Sequence, residues 1–233
     1  MQVSMAAAAA EGFKSRDAFE TALSRSQPYF QTYEAAVSTA GKSLESNPEK
    51  DTLEEQITAR IIPDQMWRFP MMMGTMEHLP GLDAATYKVL SNRIALAAIN
   101  VDWNNSRWAR HVLETRGWSA VLEAGHKSAE RMWLLVQHAD IDPVFQVTTL
   151  RQLEPLARSG KFSRPGYAML DDRVMLATTG KQHYGSQLSC QNHHWAPYSL
   201  DAGGEDPKRL DARRAEMDLP SEAAYLKYLP AHC

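Results

Sequence analysis

Two short stretches of this sequence hold polar side chains of the kinds that acid–base chemistry uses. The first is Gln137-His-Ala-Asp140, at the end of an apolar run, and the second spans residues 171–187. Histidine moves protons readily near neutral pH, so His138 is the expected general acid or base, with Asp140 or Asp172 to orient it. Arg173 offers a planar fork that holds a carboxylate or phosphate through two parallel N–H bonds; it could equally pair with Asp172 and order the chain. Tyr184 completes the catalytic candidates His138, Asp172 and Arg173, as a hydrogen-bond donor to developing negative charge. Gln137, Asp140, Gln182, Gly185, Ser186 and Gln187 are the expected substrate-binding positions. Their amides, hydroxyl and carboxylate supply donors and acceptors, and the glycine permits close approach. Each type also has a plain structural use: a helix-terminal histidine can meet the last carbonyls, and a satisfied polar network can fix a fold.

Other chemistries find little support. His193-His194 and His138-x-Asp140 invite a metal, but HExxH and CxxC spacings are missing, so neither a native metal nor a cofactor is expected. The sequence also lacks a GxSxG elbow, a GxxxxGK[ST] loop and a GxGxxG after a strand. Cys190 and Cys233 could form a disulfide in an oxidising compartment and would stay thiols in the cytosol.

These side chains must be held by a mostly helical scaffold. Tyr29, Tyr33 and Val37 place a helix after Pro28, reaching to about residue 45. Thr52 can cap the next helix, which Pro63 is expected to kink or restart. Met71, Met72, Met73 and Met76 could fill irregular core gaps or line a greasy entrance. A long helix is expected from Asp83 to about Arg116, stopped by Gly117, and another from His126 to Ala139. Asp142-Pro143 reads as an N-cap with a first-turn proline, opening a helix that Gly160 ends. Residues 171–187 then read as a β-hairpin turning at Thr179-Gly180. An aromatic loop follows, then a final helix from about Ser221 to Tyr228.

Composition bounds the answer. The chain has 233 residues, 44% hydrophobic and 23% charged, and a net charge of −3, which fits a globular protein and not a basic nucleic-acid binder. Lys208-Arg209 and Arg213-Arg214 alternate with Asp206, Asp211 and Glu216, the pattern of a solvated helix face. Apolar runs fall short of the roughly 20 residues of a membrane span. The alanine run from Ala6 to Ala10 lacks the flanks of a signal peptide; it reads as a frayed helical start or the remnant of a cleavage site, so a cytoplasmic and an exported location both stay open.

The same residues resemble an uncharacterised, mostly bacterial family, domain of unknown function 6624. The resemblance rests on Trp133-Leu-Leu-Val-Gln-His-Ala-Asp140, Asp172-Arg-Val174 and Gly180-Lys-Gln-His-Tyr-Gly-Ser-Gln187. It continues in Trp195-Ala-Pro197, Asp206-Pro207, Asp211-Ala-Arg-Arg214 and Tyr225-Leu226, with Asp64-Gln65, Arg68 and Gly117-Trp118 upstream. Ser186 stands where the family pattern has threonine, and Asp218 where it tends to have glycine. The resemblance implies a shared polar site rich in amides, His, Arg and Tyr.

The reading is therefore a mainly α protein with one small antiparallel β-hairpin near the C-terminal end. Residues 1–63 form an N-terminal helical extension and residues 64–233 the family-like domain, packed as one globular unit. The leading expectation is a metal-independent enzyme acting on a small anionic or amide-containing substrate by hydrolysis or other acid–base chemistry. The alternative is a non-catalytic module that binds a small molecule or peptide. A third possibility makes the polar cluster pure architecture.

Overall fold

The computed structural model describes residues 12–44, 47, 49–72, 76, 79–192, 194–201 and 206–229. Among them are nine helices and one two-stranded antiparallel sheet near the C-terminal end, so the mainly α reading holds. The backbone groups into two compact units, residues 1–104 and 105–233.

The first unit is built from α1 (Arg16–Ser43), α2 (Leu53–Met72) and the earlier part of α3 (Ala84–Thr115). Ser15 caps α1, accepting from the Ala18 N–H, and the helix runs through Pro28 instead of starting after it. Thr52 caps α2 reciprocally: its hydroxyl and amide both meet the Glu55 carboxylate, while the Glu55 N–H returns to the hydroxyl. Pro63 and Pro70 both sit inside α2, so Pro63 does not restart it. A core of Val37, Trp67, Met76, Leu90, Ile94 and Ala98 joins the three helices, with Phe30 stacked on Trp67 at 5.6 Å. Met76 thus fills core space; Met73 lies outside the described residues. Arg68 ties α2 to α3, donating to the buried Asp64 at 2.7 Å and to both oxygens of Asp102 at 2.7 and 2.6 Å.

The second unit carries the sequence stretches read above as chemical. The end of α3 leads through Gly117 (φ +68°) into α4 (Gly117–Glu123) and α5 (His126–Gln137). Asp142 caps α6 (Pro143–Arg158) by accepting from the Phe145 N–H at 3.1 Å, and the same carboxylate is ion-paired with Arg110. Ser163 caps α7 (Arg164–Thr179), with Pro165 in its first turn. Then come β1 (Leu188–Gln191), β2 (His194–Pro197), α8 (Pro207–Glu216) and α9 (Glu222–Leu226).

Two expectations are corrected here. Residues 171–179 are the last turns of α7, not a strand, and Gly180 (φ +73°) is that helix's left-handed C-cap, not a hairpin turn. Burial in α7 falls on Gly166, Ala168, Leu170, Asp172 and Val174, every second residue. Two residues rotate a helix by about 200°, so a helix packed on opposite sides mimics the alternation of a strand; α7 packs on both α5 and α6. The real hairpin follows in what reads as an aromatic loop, pairing Leu188 with Pro197 and Gln191 with His194. The second correction concerns α8: Arg214 is fully buried, not on a solvated face. The Cys190–Cys233 pairing, the His193-His194 pair and the alanine run lie outside the described residues, in whole or in part.

Asp142 gives a direct check on this architecture. Asp142→Ala loses both cap and ion pair and is expected to cost about 1–2 kcal/mol in denaturant unfolding, whereas Asp142→Asn keeps the cap and most of the stability.

Candidate functional site

The segment after α7 is held by three buried side chains. Asp172 is fully buried, and one of its carboxylate oxygens accepts from the His183 and Tyr184 N–H groups, each at 2.8 Å. The other accepts from the Ser186 N–H at 2.7 Å. On the carbonyl side, Arg214 donates to Tyr184 at 2.6 Å, to Gly185 at 3.5 Å and to Pro220 at 2.7 Å. Burial lowers the Arg214 pKa, and the nearby Tyr225, Asp211, Glu222 and Asp172 oppose that shift. Gln182, also fully buried, donates to the Gln187 and Tyr198 carbonyls and accepts from the Gln187 N–H, all within 3.0 Å. Gly185 turns at φ +66°, close against Pro197 and Leu200. The Gln187 amide donates to the Met169 carbonyl and to the Ser186 hydroxyl, both at 3.3 Å.

A second network runs beside this clamp. His183 Nδ1 lies 2.6 Å from Asp171, its Nε2 lies 3.4 Å from Asp201, and Asp201 accepts from Arg213 at 2.5 Å. Burial pushes the Asp171 carboxyl above the usual range; the His183 hydrogen bond and charge oppose this, and Asp172 and Asp201 add to the rise. Tyr184 meets His183 edge to face at 6.0 Å, and its phenol is pushed up to about 12, chiefly by burial. Tyr184 is therefore a neutral donor at physiological pH and not a base.

Polar groups are left over at the end of α5, as they are on Arg213 (Nε and Nη2) and Arg214 (Nη2) among the described residues. His138 is the half-buried C-cap, with φ −86° and ψ 0°. Gln137 is 5% exposed, and among the described residues nothing meets its side-chain carbonyl Oε1. Asp140 receives Arg173 Nη1 on both oxygens, at 2.9 and 2.8 Å, and Gln146 donates to it at 3.2 Å. Arg173 Nε is buried with no partner among the described residues, as is Trp133 Nε1, one turn before Gln137. Leaving such a group unmet costs about 1–3 kcal/mol, which a bound water or ligand would recover.

The matched family model spans residues 60–232 and carries the description "Family of unknown function (DUF6624)". This chain belongs to the DUF6624 family. No curated protein and no solved structure matches it. The matched span takes in all three arrangements above, so the DUF6624 resemblance read from the sequence is sound as a family assignment.

The structure separates the sequence candidates into two groups. Asp172, Gln182, Gly185 and Ser186 are buried and spend their hydrogen bonds on the chain itself, as the architectural reading expects. Asp172 consequently does not orient His138, and the hydrogen bonds of Asp140 go to Arg173 and Gln146. Gln137 and His138 end α5 and Asp140 follows them, with Arg173 of α7 ion-paired to Asp140, while Tyr184 and Gln187 stand with the clamp. Sequence reasoning missed the Asp171–His183 pair and Arg214. The Asp-x-Arg-Arg block was the available signal for Arg214, but its charge alternation hides a buried residue.

Two measurements follow. Asp172→Ala strips three buried backbone donors of their acceptor and removes one of the negative charges near Arg214; a loss of about 3–5 kcal/mol is expected in equilibrium unfolding. Asp171 should titrate by carboxyl-carbon NMR above its ordinary 3.8, and higher still in His183→Gln, which removes the opposing hydrogen bond and charge. The sign follows from linkage: the folded chain holds this proton more tightly, so the contribution is full below 3.8 and is lost as pH rises through the raised folded value.

Proposed function

We propose that this chain is an acid–base enzyme whose site is the C-terminal end of α5, acting on a small anionic or amide-bearing substrate. The observation that carries this reading is the buried Gln137 side-chain carbonyl, without a partner among the described residues, next to the half-buried His138. Arg213 and Arg214 also keep buried donors unmet among the described residues, but Gln137 Oε1 is an acceptor, and it stands next to an imidazole that can exchange protons. His138 exchanges protons with the reacting group or an attacking water. Arg173 holds the substrate's acceptor, and Asp140 fixes the guanidinium by taking one of its nitrogens on both carboxylate oxygens. The clamp at Asp172 keeps the next segment rigid without entering the chemistry. Hydrolysis or a related proton transfer matches this inventory.

The test is turnover of a panel of small amides, esters and organic anions by wild type, His138→Gln and Arg173→Ala. General acid–base catalysis contributes typically about 10²–10⁴-fold, so His138→Gln should lose turnover on that scale while keeping its fold and its ligand. Arg173→Ala should raise KM more than it lowers kcat. Ligand binding by wild type with no turnover of any panel member would replace the enzyme with a binding module.

A further inference from the structure

One cleft of the second unit lies on the same two helices as the proposed site, about one turn before it. It has a volume of about 380 Å³ and lies between α5 and the start of α7, with Trp133, Leu134, Phe162, Pro165 and Met169 as its apolar wall. Such a volume suits a small ligand with a largely apolar body. The two helices pass it in the same direction: residues 130–134 share the cleft with residues 162–169, and farther along each chain Asp140 meets Arg173. Residues four apart on a helix are neighbours on one face. Gln137 therefore follows Trp133, and Arg173 follows Met169, one turn beyond the apolar wall in each case.

The leftover hydrogen-bonding atoms along this path specify a head group. Trp133 Nε1 and Arg173 Nε are donors that lack an acceptor among the described residues, and Gln137 Oε1 is an acceptor that lacks a donor. A carboxylate satisfies the donors but has nothing to give Gln137. A carboxamide does both, because its carbonyl accepts and its N–H donates. Resting on the reading of the α5 end as the substrate site, we propose that the ligand is a carboxamide with an alkyl or aryl tail. Its head lies at Gln137 and Arg173, and its tail fills the cleft at Trp133, Leu134 and Met169.

Calorimetric titration of wild type with primary n-alkyl carboxamides from acetamide to octanamide, and with the matched carboxylates, tests this. Affinity is expected to rise about fourfold per added methylene until the cleft is full, with each amide binding more tightly than its carboxylate. Gln137→Leu should weaken every amide without changing the slope against chain length, and Met169→Glu should flatten the slope. A measurement on unaltered protein guards against misfolded variants: the Met169 methyl NMR signal should move with the long amides and not with acetamide. Binding that depends on Arg173 but not on chain length would overturn the tail pocket and leave the acid–base site standing. Chain-length dependence with carboxylates equal to amides, or untouched by Gln137→Leu, would overturn the head assignment. Absence of binding at every length overturns the proposal, while turnover of another substrate lost in His138→Gln would still support the proposed function.

Discussion

The Asp172 carboxylate is the charge around which the second unit is organised. A buried carboxylate is costly unless hydrogen bonds replace its water, and the loop amides of His183, Tyr184 and Ser186 do so here. Those amides belong to a segment with no regular structure of its own, which would otherwise leave its N–H groups unmet. Arg214 answers from the other side by taking the carbonyls of the same segment, so opposite charges read the two polarities of one stretch of backbone. Gln182 extends the arrangement to the edge of the small sheet through Gln187 and Tyr198. Charge, backbone and sheet are thereby fixed together, and the two-stranded hairpin need not be stable alone.

This division of labour clarifies which polar residues are available for chemistry. A group whose lone pairs and protons are all used inside the fold has little left for a substrate. The α5 end holds one carboxylate shared between Arg173 and Gln146, a half-buried imidazole and three buried polar atoms, of Trp133, Gln137 and Arg173, without partners among the described residues. Its scaffold is nevertheless rigid, since α5, α6 and α7 pack on one another and Gln146 also binds the Val136 and Gln137 carbonyls. Rigid support under incompletely satisfied groups is what a preorganised site needs.

Much of the helical framework was legible because helix ends carry local chemistry. Thr52, Asp142-Pro143, Gly117, Gly160 and Ser221 are each readable as a cap or stop from a few residues. The α7 segment was not, because its burial on two sides alternates like a strand and left-handed glycine serves hairpins and helix ends alike. Placing the sheet at 188–197 would have required seeing strands in Leu188-Ser-Cys-Gln191 and His194-Trp-Ala-Pro197, which lack β-branched residues. Within the site, the adjacency of Gln137, His138 and Asp140 is written in the sequence. The partner of Arg173 is not: neighbouring helical residues point about 100° apart, so Asp172 faces the loop and Arg173 reaches Asp140 instead. The burial of Arg214 depends on what covers α8, which no local pattern records.

The run Asp171-Asp172-Arg173 sends three adjacent side chains to three different addresses: His183, the loop amides and Asp140. Each is fixed by its angular position on α7, counted from the Ser163 cap. Adding or deleting one residue between 163 and 171 would turn all three by about 100° and misdirect them together. Point substitutions can be absorbed along the exposed side of this helix, but its length cannot drift. Among relatives, gaps should gather in the connections around α7 and spare the helix itself.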